Sequence, residues 1–349
     1  MNDKVIAMGL GLKKTLTAAL LASTTLFAGL SASVASAADD ELVVYSSRNE
    51  ELIKPLFDLY TKKTGVKIRY ITDKDAPLIA RLEAEGKTTP ADMLITVDAG
   101  NLWQAKEKGI LQPYTSETLQ KNIPAHLRDP DNNWYGMSVR ARTMVYASDR
   151  IKPEQLSSYE DLADPKWEGR LCLRTAKKVY NQSLVATMID RLGEPGSEKV
   201  VKGWVHNLAM PVFSNDTKAM EAVASGICDV TIVNTYYFGR LLKQKPDTNL
   251  KLFWANQGGS GVHVNVSGAG ITRYAKHPEA AAKLLEWMST PEAQSILADS
   301  NMEYPANADV QPSSEVAAWG NFKQDNLNVE TAGRLQTEAI QLMDRAKYN

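Results

Sequence analysis

The order in which the hydrophobic pattern changes period constrains this chain most. Glu41-Leu-Val-Val-Tyr45 predicts a strand, and Ser47-Arg-Asn-Glu50 after it has the spacing of a capping box that opens a helix. Val66 to Ile71 predicts a second strand, Ala76 to Glu85 a helix, and Ala91 to Val97 a third strand. Asn101 to Lys108 is helical, with Gly109 as its stop. Strands that alternate with helices need crossovers, and crossovers give a parallel-rich sheet covered on both faces: the α/β class.

From Arg140 the pattern restarts. Thr143 to Ala147 predicts a strand able to cross from one α/β unit to another, and strands follow near 171–174, 211–213 and 229–233. The Asp229-Val-Thr-Ile-Val-Asn234 run reads as a buried parallel strand. Gln257-Gly-Gly-Ser-Gly261 is a glycine-rich break, after which Val262 to Val266 is extended. Pro278 to Ser289 and Pro291 to Asp299 predict helices with proline in the first turn. A last helix covers about Thr331 to Ala346, with Leu335, Ile340, Leu342 and Met343 near one face. The expected organisation is a signal peptide at 1–37, a first lobe from 38–139 and 262–315, a second lobe from 140–261, and a C-terminal helical segment at 316–349 packing on the second lobe. Two crossings near 139–147 and 257–266 make a hinged clam with a cleft, a design that closes on a small ligand.

Composition narrows the function classes. The 349 residues are 44% hydrophobic and 23% charged, an ordinary balance for two globular units, and the net charge of −1 with no basic cluster among aromatics argues against nucleic acid. Lys13-Lys14, the apolar run from Thr15 to Leu30 and Ala35-Ser-Ala37 form a cleavable export signal, with the mature chain starting at Ala38 or Asp39. Cys172 and Cys228 then meet an oxidising compartment. Both stand at the starts of expected strands, so either a disulfide or two buried thiols fits.

No nucleophile elbow, phosphate loop or Cys-His pair is present, and His126, His206, His263 and His277 lack metal-ligand spacing. The residues that stand out are tyrosines: Tyr236 and Tyr237 at the end of the 229–234 strand, and Tyr180 in Lys178-Val-Tyr-Asn-Gln-Ser183, read as a loop. Consecutive residues of a strand face opposite ways, so one core ring and one surface ring is the default for a Tyr-Tyr pair. The two phenols share a site only if the chain leaves strand geometry there. In open α/β sheets ligands bind at the carboxyl ends of strands. A tyrosine cluster at that position in an exported chain suits Fe3+, a hard cation that prefers anionic oxygen.

The chain resembles periplasmic substrate-binding proteins of ABC transporters, and specifically the ferric-ion-binding proteins called bacterial transferrins. General markers are Leu102-Trp-Gln-Ala-Lys-Glu-Lys-Gly-Ile-Leu-Gln-Pro113, Asp161-Leu-Ala-Asp-Pro-Lys-Trp-Glu-Gly169 and Lys276-His-Pro-Glu-Ala-Ala-Ala-Lys-Leu-Leu285. Tyr236-Tyr237 and Tyr180 carry the iron-specific part, together with the 56 residues that separate Tyr180 from Tyr236. The resemblance implies a two-lobed periplasmic binding protein fold (type II), no catalysis, a monomer, and an inner-membrane ABC permease as partner. Family members commonly place His, or His-Tyr, where this chain has Asn49-Glu50. Another branch adds a Glu where Val97 stands here, followed by Asp98. The resemblance therefore points to the branch in which three tyrosines hold Fe3+ and an exogenous anion, often carbonate, completes the shell.

On that scheme Tyr180, Tyr236 and Tyr237 are the metal ligands. Glu50 is either a further ligand or the capping-box residue. Arg48 with Ser46, Ser47 and Asn49 takes the anion, in a loop where backbone N–H groups and a helix start attract negative charge. Arg140 reaches the anion from the hinge, Arg240 supports the tyrosines, and Arg142 is read as a solvated surface arginine. Two other readings stay open: a binding protein for an oxyanion or small organic ligand with the tyrosines as stacking walls, and an exported enzyme using the cleft.

Overall fold

The computed structural model describes residues 41–349; the expected signal peptide at 1–37 and its cleavage point lie outside the described residues. The chain opens with β1 (Glu41–Ser46), α1 (Glu50–Thr64), β2 (Lys67–Thr72), α2 (Asp75–Glu85), β3 (Met93–Thr96), α3 (Ala99–Glu107) and α4 (Glu117–Asn122). There follow β4 (Tyr135–Ala147), β5 (Leu171–Cys172), α5 (Val179–His206), α6 (Asp216–Ala224), β6 (Val230–Asn234), α7 (Thr235–Gln244), β7 (Leu250–Phe253) and β8 (Val264–Ile271). The remainder holds α8 (Pro278–Met288), α9 (Pro291–Asp299), β9 (Tyr304–Pro305), α10 (Ser314–Ala317), α11 (Thr331–Arg334) and α12 (Gln336–Arg345).

The first three strands form the parallel trio that the alternating pattern requires, with β1 between β2 and β3. Apolar β1 is buried after Glu41, whereas edge strand β2 exposes Lys67, Arg69 and Thr72. Helix α1 stops at Gly65, whose φ of 79° allows its N–H to return to the Thr61 carbonyl. The capping box expected at Ser47 to Glu50 is not formed. Ser47 Oγ donates to Asp75 instead, and Asn49 caps α1 without a side-chain bond.

Strand β4 joins everything. Its 13 residues are all buried. Tyr135–Ala141 pairs antiparallel with β8, while Arg142–Tyr146 pairs antiparallel with β6 and Met144–Ala147 with β7. The resulting order is β2-β1-β3-β8-β4-β6-β5, with β7 and β9 also on β4. The 229–234 run is thus parallel only to the two-residue β5 and antiparallel to β4 along its length. A strand shared by both halves enters the second running against it.

Hydrophobic packing follows the same division. One cluster draws its buried residues from Leu42 to Ala141 and Val262 to Val329, joined by Tyr236. The others draw theirs from Met144 to Ala255 and Ala339 to Tyr348. The stretch after 314 contributes to both: Val316 and Val329 to the first, Leu342 and Met343 to the second. The long helix expected over 331–346 breaks at Leu335, and restarting at Gln336 leaves Ile340 at 45% exposure rather than on the buried face. Gly333 lies against Trp103, and a Cβ there would come within 2.5 Å of that side chain, so α11 reaches α3 only because position 333 is glycine.

Pairing of β5 with β6 brings Cys172 and Cys228 together as a disulfide, with Cα atoms 5.9 Å apart across 56 residues of sequence. Closing a loop of that length restricts the unfolded chain. Cys172→Ser/Cys228→Ser should lower stability by about 2–4 kcal/mol in denaturant unfolding. Thiol titration of the denatured, unreduced parent should find no free thiol; two free thiols would contradict the bridge.

Candidate metal centre

The Tyr-Tyr pair escapes strand alternation because β6 ends at Asn234 and α7 begins at Thr235. In a helix consecutive side chains are separated by about 100° rather than 180°. Tyr236 and Tyr237 therefore stand side by side, ring centroids 4.4 Å apart and planes at 39°. Tyr180, expected in a loop, occupies the first turn of α5. Both sets of phenols thus sit at helix N-termini, where the backbone dipole favours negative charge. Tyr180, Tyr236 and Tyr237 line one cleft of about 1380 Å³ together with Arg48, Arg140 and Arg240.

The electrostatics of the cleft set buried phenols against neighbouring guanidinium groups. Burial, with a smaller push from neighbouring Tyr237, raises the Tyr180 phenol to about 12 against the opposing pull of Arg140. Tyr236 is pushed well above its ordinary value by burial and then by Tyr180 and Tyr237. Tyr180 and Tyr236 are therefore neutral phenols at neutral pH. Cations already surround them. Arg140, Arg174 and Lys178 lie 5.2, 5.6 and 4.8 Å from the Tyr180 ring centre, and Arg240 lies 5.3 Å from that of Tyr236 and 5.9 Å from that of Tyr237. Nearby positive charge favours a phenolate over a phenol, and burial opposes it.

The arginines divide by their partners. Arg48 is buried, and its Nη1 donates to Glu303 Oε2 at 3.0 Å and to Ser138 Oγ at 3.1 Å, while Nε and Nη2 have no partner. Arg48, expected to take the anion, thus gives one arm to Glu303, and two of its nitrogens have no protein partner. Burial resists ionisation of Glu303, but Arg48 and Arg140 hold its carboxyl below the usual range. Arg140 pairs with Asp98 at 3.4 Å and donates to Ser267 Oγ at 3.3 Å. Arg142, expected in solvent, is 2% exposed and bound to Asp216, Asn181 and Asn234. Arg240 donates to Asn301, whose Nδ2 donates to Glu303 Oε1 at 2.8 Å.

Among the other expected residues, Ser46 Oγ is buried and accepts the Arg48 N–H at 3.2 Å. Ser47 and Asn49 line the cleft. Glu50 lines it too, but its carboxylate accepts a hydrogen bond from Tyr70 at 2.9 Å on the exposed side. His263 lies away from the cleft, buried against Thr187, its imidazole pushed down to about 3 by burial and by Arg142 and Arg140. Glu303, Asp98 and Arg174 were not foreseen. Asp98 was visible as a helix N-cap preceding Ala99-Gly100, but nothing local marks Glu303, which meets Arg48 across 255 residues. Among the described residues no three His, Cys, Asp or Glu side chains gather into a metal site, and no helix is long and apolar enough to cross a membrane.

The family model for bacterial extracellular solute-binding proteins matches residues 88–324. The chain is 42% identical over 314 residues to "Iron uptake protein A1" of Synechocystis, covering 88% of this chain and 87% of that protein. Among solved structures, a Trichodesmium protein (IdiA, FutA) in complex with iron and citrate ligands superposes with a TM-score of 0.86 at 44% identity, over 88% of this chain and 100% of that one. The ferric binding protein from Campylobacter jejuni gives 0.82 at 35% identity, over 88% and 100%.

Raised phenol values set a pH dependence for the empty protein. Below pH 10, folded and unfolded chains both keep the Tyr180 proton and its contribution to stability is constant. Above it the unfolded chain ionises first, so stability is lost as pH rises toward about 12. Tyr180→Phe should flatten that loss by roughly 2 kcal/mol, read from urea midpoints taken at neutral pH and through the alkaline range. An alkaline slope identical to that of the parent would refute the burial of a neutral phenol there.

Proposed function

The chain belongs to the bacterial extracellular solute-binding protein family, and on that premise we propose that it is a periplasmic Fe3+-binding protein which delivers iron to an inner-membrane ABC permease. It is a binding protein and not an enzyme. The observation that carries the reading is the placement of three phenols at the starts of two helices, in one cleft and ringed by guanidinium groups. Three phenolates offset the three charges of Fe3+, and their oxygens suit a hard ion. The iron named for the Synechocystis relative and the iron and citrate of the Trichodesmium complex agree with this cargo.

An exogenous anion completes the shell. Arg48 supports it, since two of its buried N–H groups point to no protein acceptor and their desolvation is uncompensated until an anion arrives. Carbonate or a carboxylate both meet that need. Glu50, engaged by Tyr70, is the weaker candidate for that position. In this scheme 38–139 with 262–315 and 140–261 act as lobes that turn about β4 and the 254–263 crossing, and the export signal at 1–37 is removed. Docking, or reduction to the less charged and softer Fe2+, weakens the phenolate bonds and lets the ion go.

Purified protein with ferric iron and bicarbonate should show a visible phenolate-to-iron band. Tyr180→Phe, Tyr236→Phe and Tyr237→Phe should each fold with a loss of only about 0.5–1.5 kcal/mol. Each should shift or abolish the band and weaken iron binding by more than the roughly 10–100-fold cost of losing a supporting contact. A Phe variant with unchanged colour and affinity removes that tyrosine from the ligand set. Withdrawing bicarbonate, citrate and phosphate, or Arg48→Ala, should shift the band and slow iron uptake; indifference to both would mean that Glu50 or water fills the shell. Acid should bleach the complex, because protons compete for the phenolates.

A further inference from the structure

Arg142 is the most completely engaged side chain beneath the cleft, and the proposed ligand set does not use it. Its Nε and Nη2 donate to Asn181 Oδ1 at 3.0 and 2.6 Å. Nη1 donates to Asn234 Oδ1 at 3.0 Å and to Asp216 Oδ2 at 3.2 Å, and Nη2 donates also to the Ile232 carbonyl at 3.1 Å. Asn181 directly follows Tyr180, and Asn234 Nδ2 donates to the Tyr236 hydroxyl at 3.2 Å. One planar guanidinium thus clamps the first turn of α5 to the end of β6, the two places from which the tyrosines project. Its fork geometry is what a lysine lacks. The same residue marks the crossing in β4: its N–H donates to the His263 carbonyl on the second crossing at 3.0 Å, and its carbonyl accepts from Tyr159.

We propose that Arg142 is a positioning residue that sets the separation of Tyr180 from Tyr236, and that by sitting at both crossings it makes this separation depend on the lobe arrangement. The inference rests on the ferric reading for its colour assay but not for its geometry. Asp216, buried and shared by Arg142 with Arg174 at 3.3 Å, keeps a cationic partner when Arg142 is altered. Arg142→Lys therefore retains charge while losing the fork. Asn181→Ala leaves the Arg142–Asp216 pair intact and removes the α5 end of the clamp, together with the Asn181 Nδ2 bonds to the Arg174 and Thr175 carbonyls and the Tyr348 hydroxyl, so Arg142→Lys, which spares those bonds, is the more specific of the two.

Two measurements decide it. In metal-free crystals, Arg142→Lys and Asn181→Ala should show the Tyr180 ring displaced relative to Tyr236, with the rest of each lobe superposing on the parent; an unmoved Tyr180 in both overturns the proposal. With ferric iron and bicarbonate, both variants should keep a phenolate band but at a shifted wavelength, and should release iron to a chelator about 10–100-fold faster than the parent. A merely structural role would lower the melting point and leave the band where it was, which also counts against the proposal. A parent that stays colourless with iron refutes the ferric reading, while the metal-free crystals still decide the positioning.

Discussion

A single strand shared between two packing units is the constraint on which this molecule depends. β4 gives its first seven residues to one half of the sheet and its remainder to the other, so the two hydrophobic cores are joined by backbone hydrogen bonds on both sides of Ala141/Arg142. Side chains near that point reach either core or the space between. Arg140 turns toward Asp98 and Tyr180, Arg142 toward Asp216 and the two asparagines. The strand that joins the halves also carries the charges that condition the cleft.

Those charges explain how a protein keeps phenols ready without ionising them. Burial opposes phenolate formation at Tyr180 and Tyr236 more strongly than Arg140 favours it. Part of the available cation is already neutralised, since Arg48 faces Glu303 and Arg140 faces Asp98. The Tyr180 and Tyr236 phenols are therefore held short of ionisation, and on the proposed ferric reading Fe3+ with its anion would shift that balance.

What the sequence disclosed was local. The alternation of strands and helices, the stop at Gly109, the neighbourhood of the two cysteines and the tyrosines at a strand end all rest on residues close in the chain. What it hid was long-range. The capping box at Ser47 was lost because Asp75 offers a better partner 28 residues away. Arg142 looked like a surface residue because its acceptors lie 39, 74 and 92 residues further on. Tyr180 looked like a loop residue because α5 starts without a side-chain cap at Lys178. Ile340 fitted a single helix periodicity that the break at Leu335 interrupts.

The place of β8 in the sheet has a consequence for how the chain acquires its shape. β8 is inserted between β3 and β4, although it follows β3 by more than 150 residues of sequence. Until Val264–Ile271 arrives, β3 has an open inner edge and the early βαβ unit cannot close its core. The intervening 144–255 block is braced by its disulfide but completes its core only with Ala339–Tyr348, at the far end of the chain. Non-local pairing of this kind is slow to form. Both halves therefore draw on late segments, β8 in one and Ala339–Tyr348 in the other, so a chain cut short before residue 264 would leave neither core closed.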